Sequence, residues 1–350
     1  MNPYRGMIFT RTMKTLGIAR GDIAGARVYA QSQNWSNARD VVDSIRAAAV
    51  PTTGTGDVGL ATPATFDFAE FIRPMTILGK LLGFRRAPAR VRTISATSGS
   101  GAYWSGEANP RPISRVTLDG AELEQLSVVA ILITTAELLR CSAPNAESIL
   151  STDLARAAVQ AMDEAFIDPA NAGETGKKPA AITSGTPLLT SSGGSLTQVD
   201  DDLAALIGAL SDAGSDLSMA AFVMRPQTAL YLARLRGTGG NLAYPGMTAK
   251  GGTLLGLPTI TSAAVPGPGS PVSNSITLLD PSQILVCDEN GGALETSFQG
   301  SIQLEDSPGS GARNLTSLWQ TNSAGLKMTR YVNWRRCRAG MAQTLTGVAY

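Results

Sequence analysis

Histidine is absent from the chain. With it go the commonest general base and the commonest metal ligand, and so Ser-His-Asp, Cys-His and His-zinc chemistry. No G-x-S-x-G elbow and no compact acid-base constellation takes their place, so no catalytic, cofactor-binding or metal-ligating residue is assigned. Cysteine is scarce as well. Cys141, Cys287 and Cys337 stand far apart, are odd in number and form no C-x-x-C pair, which argues against a disulfide framework or a zinc knuckle and for reduced, partly buried thiols. Charge is sparse at 16% of residues, and 29 Lys and Arg against 28 Asp and Glu leave a formal net charge of +1. Such balance removes long-range self-repulsion and favours close association over capture of an acidic ligand by global charge. Long apolar runs are missing too: nowhere do 18 apolar residues stand together, and MNPYRGMIFTRTMKTLG lacks a signal-peptide core. A soluble protein that stays where it is made, away from membranes, is expected. There is no internal repeat and no coiled-coil heptad.

What is present is a 350-residue chain that is 43% hydrophobic, enough for a real core. A chain of this length buries roughly three quarters of its unfolded surface and tends to divide that burial between lobes. Residues 1–65 read as an arm, mildly basic, with a short helix after Ser36 over residues 37–50 that places Val41, Val42 and Ile45 on one face. A small-residue connector follows Pro51, then a second amphipathic stretch over residues 68–82. From residue 87 to 135 the pattern is of short β runs around a Gly-Ser bend at 98–101, as for two strands joined by a projecting loop. The strongest helix signal covers residues 143–168, with Leu154, Ala158, Ala161 and Ala165 at helical spacing and Asp168-Pro169 as the stop. An α/β alternation comes next: helix 198–210, strand 220–224, helix 226–235, and strands near 259–262, 275–279, 284–287 and 294–298. The end returns to β character. One lobe inserted between two halves of another is the simplest architecture, in the α+β class.

Two motifs are set aside. Gly54-Thr55-Gly56-Asp57-Val58-Gly59 matches a dinucleotide fingerprint, but Pro51 and Pro63 crowd the strand and helix that the chemistry requires. Asp200, Asp201 and Asp202 read as acids in a helix's first turn, complementing its dipole, before they read as a cation site.

Four stretches, in order, resemble the major capsid proteins of tailed phages with the Hong Kong 97-type fold. They are AYWSGEANPRPIS at 102–114; ITTAELL at 133–139 running into the long helix; AFID at 165–168 leading to KPAAI at 178–182; and LWQTN at 318–322 with VNW at 332–334. Ala181 stands where that family commonly has glycine. The resemblance implies an N-terminal arm (1–65), a peripheral domain (66–182) with an extended loop (88–120) and spine helix (143–168), an axial domain (183–305) and peripheral return strands (306–350). It implies a virion shell protein, assembled in the host cytoplasm as hexamers and pentamers of itself, with portal, scaffold and cement or decoration partners and packaged double-stranded DNA contacted non-specifically. Tyr103, Trp104, Glu107 and Arg111 become candidate inter-subunit contacts, because Trp, Tyr and Arg dominate interface hot spots; as ordinary strand residues they would cover their own sheet. Arg330, Arg335, Arg336 and Arg338 form a basic cluster that faces either DNA phosphates or acidic neighbours in the shell. Some members weld subunits through a loop lysine, but this chain has no lysine between Lys80 and Lys177, which implies a non-covalent shell. An encapsulin-like nanocompartment shell is the alternative within the fold; an α/β enzyme at 183–305 is the alternative outside it.

Overall fold

The computed structural model describes residues 6–19, 22–33, 35–48, 63–96, 104, 118–135, 137, 144–237, 239–267, 274–297, 300–303 and 315–348. The chain gathers into two compact units, each drawn from three separated stretches: Met1–Met75, Ser127–Ala161 and Glu289–Tyr331 in the first, and Thr76–Leu126, Met162–Asp288 and Val332–Tyr350 in the second.

In the first unit, helices α1 (Met7–Ile18), α2 (Ile23–Ser32), α3 (Ala38–Ala48) and α4 (Pro63–Ile72) pack together. Asp22 caps α2 by accepting from the amides of Ala24 (3.1 Å) and Gly25 (3.0 Å), satisfying donors that a helix start leaves unpaired. Leu16, Ala26, Ala30, Val41, Val42 and Ile45 form a buried cluster, and Phe9 stacks on Phe68 at 4.2 Å. The α3 helix fulfils the expected apolar face, though it begins one residue later than expected, since the Asn37 carbonyl rather than that of Ser36 takes the first helical bond, from Val41. The region read as an arm thus carries three helices around a small core. The amphipathic stretch expected over 68–82 is not one continuous helix: α4 gives way to a 3-10 turn at Arg73–Met75 and a short α5 (Ile77–Lys80), because Pro74 has no amide to donate to a continuing helix. The same unit holds strand β4 (Ser127–Thr135), antiparallel to β14 (Ser323–Arg336) as far as Tyr331, in register from Ser127↔Tyr331 to Thr135↔Ser323.

The second unit is built on a seven-stranded sheet of order β5-β15-β10-β6-β9-β8-β7, from Leu188–Thr190, Ala342–Thr346, Ile276–Leu279, Ala221–Met224, Leu257–Thr261, Gly251–Leu254 and Met247–Thr248 respectively. The helices that follow the long α6 (Pro144–Ile167) are α7 (Leu196–Asp212) and α8 (Pro226–Arg234). They lay Val199, Leu203, Leu206, Leu210 and Leu232 onto Phe222, Met224, Ile276, Leu278 and Leu345 of the sheet. These faces alternate with Ala221 and Val223 along β6, as strand geometry dictates. At Gly251 (φ +100°) a Cβ would lie 2.3 Å from the Thr259 carbonyl oxygen, so the β8–β9 pairing depends on glycine there.

Two expectations need correction. The α7 helix starts at Leu196, where Ser195 and Gln198 form a capping box, so Asp200, Asp201 and Asp202 lie beyond its first turn. Asp202 instead accepts from the Ser191 hydroxyl (2.8 Å) and the Ser192 amide (3.0 Å), and Asp200 from the Tyr244 hydroxyl. The strands expected at 284–287 and 294–298 are one strand, β11 (Ile284–Ser297), whose start pairs in parallel with β1 (Arg85–Arg86) at Leu285 and Val286. The Gly54–Gly59 motif and Cys141 lie outside the described residues.

Candidate assembly surfaces

Two strands flank the segment expected as a loop: β2 (Arg92–Ala96) runs antiparallel to β3 (Leu118–Glu122), with Arg92 opposite Glu122 and Ala96 opposite Leu118. Trp104 is fully exposed, which leaves a large apolar ring in water in the single chain. Tyr103, Glu107 and Arg111 lie outside the described residues.

The C-terminal arginines differ in their surroundings. Arg330 is buried, on β14 opposite Val128. Arg336 is half-buried and donates to the Ser184 carbonyl at 2.6 Å, and burial lowers its affinity for its proton. Arg338 lies beside Gly214, just past the C-terminus of α7, where a cation complements the helix dipole. Arg335 is exposed and, with Arg85, bears on the Cys337 thiol, whose pKa burial nevertheless raises. Cys287 is buried and Cys337 half-buried.

Three features escaped sequence reasoning. The first is a groove of about 590 Å³ beside α8, lined by Leu196, Gln227, Leu230, Tyr231, Arg234, Leu235 and Arg236. Its signal was in the sequence: Gln227, Leu230, Tyr231 and Arg234 recur at helical spacing opposite the buried Thr228, Ala229 and Leu232. The second is the aromatic junction at the end of α6. Trp334 meets Phe166 edge-on at 5.3 Å and donates its indole N–H to the Ala180 carbonyl at 2.9 Å, and Phe84 meets Phe166 at 6.3 Å. The third is Asp163, 1% exposed, which accepts from the Ile77 amide (2.9 Å) and the Ser262 hydroxyl (2.9 Å). Burial pushes its pKa up to about 6 against the opposing pull of those two bonds and of Lys80, which itself donates to the Thr261 carbonyl at 3.1 Å. Among the described residues no three acidic or thiol groups converge as a metal cage would require.

The profile of the Phage capsid family matches residues 72–302. The chain is 35% identical over 366 aligned positions to the capsid polyprotein of Pseudomonas phage PAJU2, an alignment that takes in 98% of this chain and 54% of that one. It therefore spans about half the length of the curated relative it matches. Among solved structures, one from Mycobacterium phage Ogopogo superposes with a TM-score of 0.57 at 16% identity, covering 77% of this chain and 91% of that one. One from Gordonia phage Cozz gives 0.55 at 16% identity over 95% of both chains, and the capsid of a native GTA particle 0.53 at 15% identity over 86% of this chain and 95% of that one. At such identities the likeness is one of fold.

Proposed function

The chain belongs to the phage capsid family, and from that premise we propose that it is the major capsid (head) protein of a tailed bacteriophage, which assembles as hexamers and pentamers into an icosahedral shell around packaged double-stranded DNA. Its fold is the α+β Hong Kong 97-type capsid fold, and its role is structural rather than enzymatic. The observation that carries the reading is the alignment of 98% of this chain with about half of a capsid polyprotein, taken with the family match over the middle two thirds of the chain.

In this reading residues 1–65 act as the N-terminal arm. Residues 66–182 and 306–350 make the peripheral domain, with the loop at 88–120 and the spine helix at 143–168, and residues 183–305 make the axial domain. Shell affinity comes from many modest contacts that close around symmetry axes. Loops and arms that lie over neighbours multiply those contacts, since one tether raises the effective concentration of the next. Tyr103, Trp104, Glu107 and Arg111 belong to such a loop, and the full exposure of the Trp104 indole supports that role. Among the C-terminal arginines, Arg335 is the one whose exposure suits contact with a neighbour or with DNA phosphates. A portal protein, a scaffold, non-specifically held DNA and assembly in the host cytoplasm complete the reading. With no lysine between Lys80 and Lys177 the shell is non-covalent, reinforced by a cement or decoration protein.

Purified protein, with and without a candidate scaffold, tests this by negative-stain microscopy and sedimentation. Shells, tubes or capsomer rings are expected. Lone molecules at every concentration tried, with or without scaffold, would refute it.

A further inference from the structure

We infer that the groove beside α8 of one copy receives the Asp212–Met219 turn of the next copy, so that the second unit carries both halves of a head-to-tail contact. The inference rests on the self-assembly reading above and gives it a specific surface.

The groove combines a leucine floor with a cationic rim. Leu196, Leu230 and Leu235 supply apolar area, Tyr231 donates its hydroxyl proton to the Gly194 carbonyl at 2.8 Å, and Arg234 and Arg236 are exposed at the edge with no carboxylate in the lining. Leucine, tyrosine and arginine around one concavity make an anchor site of the kind that carries interface energy, and an exposed rim charge selects the sign of its partner. Arg236 already donates to the Gly240 carbonyl at 2.8 Å, which holds its guanidinium in place at the edge.

The turn has the opposite character. Asp212 and Asp216 are exposed, no Lys or Arg occurs between residues 211 and 224, and Met219 is 50% exposed beside them. Among the described residues Asp212, Asp216 and Arg234 take part in no ion pair; Arg338 approaches the turn at Gly214. The turn is also rigid. The buried Ser215 hydroxyl donates to Asp280 at 2.6 Å while accepting from the Leu217 amide at 3.2 Å, and Leu217 is held at φ +61°, a conformation rare for a residue with a side chain. Asp216 accepts from the Ser218 amide (3.1 Å) and hydroxyl (2.9 Å), bonds that keep its carboxyl below the usual range and therefore ionised. A preformed knob of this kind loses little conformational freedom on docking.

The two features sit at opposite ends of one rod. Leu196, the first residue of α7, lines the groove, and Asp212, its last, opens the turn, so the 17-residue helix separates them by about 25 Å. They cannot meet within a single chain. Each copy therefore offers a groove at one end and a matching knob at the other, which is a heterologous contact that repeats from copy to copy and closes into a ring when the rotation allows.

Charge exchange tests this. Arg234→Glu with Arg236→Glu, Asp212→Lys with Asp216→Lys, and the combination of all four are purified, their folding checked by thermal melting, and the protein concentration at half-assembly measured by light scattering at low and high salt. Each double variant is expected to raise that concentration about tenfold or more at low salt, and the combination to restore it to within about threefold of the unaltered chain. A folded double variant that assembles like the unaltered chain, or a combination that is no better than its parents, overturns the contact while leaving self-assembly intact. Failure of the unaltered chain to assemble under any condition overturns both. Should a double variant not fold, Leu230→Asp reports on the same groove by the same measurement: assembly unchanged would overturn the contact, and assembly lost would support it.

Discussion

Replacing Asp163 by asparagine should make the stability of the protein less sensitive to pH, in a direction the structure fixes. The carboxyl is 1% exposed and its pKa is raised from 3.8 to about 6, chiefly by burial. Between those two values the unfolded chain releases this proton while the folded chain keeps it, so the folded state loses relative stability as pH rises. The full effect is about 3 kcal/mol at 1.36 kcal/mol per pH unit: the benefit is complete below about pH 4 and gone above about pH 6. Asparagine is neutral throughout and close in shape to the protonated acid. Its oxygen can still accept from the Ile77 amide, and its NH₂ can donate to the Ser262 hydroxyl where the carboxylate accepted. Asp163→Asn should therefore match the unaltered protein near pH 4 and exceed it by up to about 3 kcal/mol near pH 7.5. Urea unfolding of unassembled protein at four pH values, followed by tryptophan fluorescence, measures the difference. A gap between the two proteins that stays constant with pH, or that turns against the variant as pH rises, would refute the reasoning, because the ionised carboxylate would then be no worse off in the fold than in water.

Removing the Trp334 ring (Trp334→Ala) leaves a cavity against Phe166 and an unanswered Ala180 carbonyl, and should cost about 3–5 kcal/mol by urea unfolding; Trp334→Phe, which loses mainly the hydrogen bond, should cost about 1–3 kcal/mol. Phe9→Ala removes the ring stacked on Phe68 and should raise amide hydrogen exchange across Met7–Ile18 while leaving the second unit protected, and exchange that rises equally in both would contradict it. Ser195→Ala takes away half of the capping box and should destabilise the second unit by about 1 kcal/mol, with Ser195→Asp near neutral, as read by thermal melting. Particles assembled from this 350-residue chain and boiled in detergent should run as single bands near 36.3 kDa, and a covalent ladder would show that subunits are welded by chemistry other than a loop lysine.

Much of the chain beyond residue 143 was legible because its signals are local. The helix at Pro144–Ile167 declares itself through apolar spacing and the Asp168-Pro169 stop, and that at 226–234 through an N-terminal proline; the helix at 196–212 was expected from 198, because its capping serine went unread. The helices at 7–18 and 23–32 were not legible: threonines, glycines and arginines interleave with Phe9, Met13, Leu16 and Ala26, and only the packing of four helices turns those residues into a core. The arginine cluster was legible as composition but not as arrangement. Neighbours in sequence point to opposite faces of a strand, so Arg330 ends buried, Arg336 bound to a carbonyl and Arg335 exposed.

By itself the sequence determined the class of the protein: no histidine chemistry, balanced charge, one long helix and an α/β alternation, all properties that a residue carries with it or shares with neighbours a few positions away. Tertiary structure alone decided which polar groups are buried and which apolar ones are left in water. Burial raises the pKa of Asp163, whose hydrogen-bond partners lie 86 and 99 positions away, and the groove beside α8 exists only because Leu196 and Leu235 are brought together. Burial is set by what the folded chain lays over a side chain, and that depends on contacts between residues whose separation along the chain no local pattern encodes.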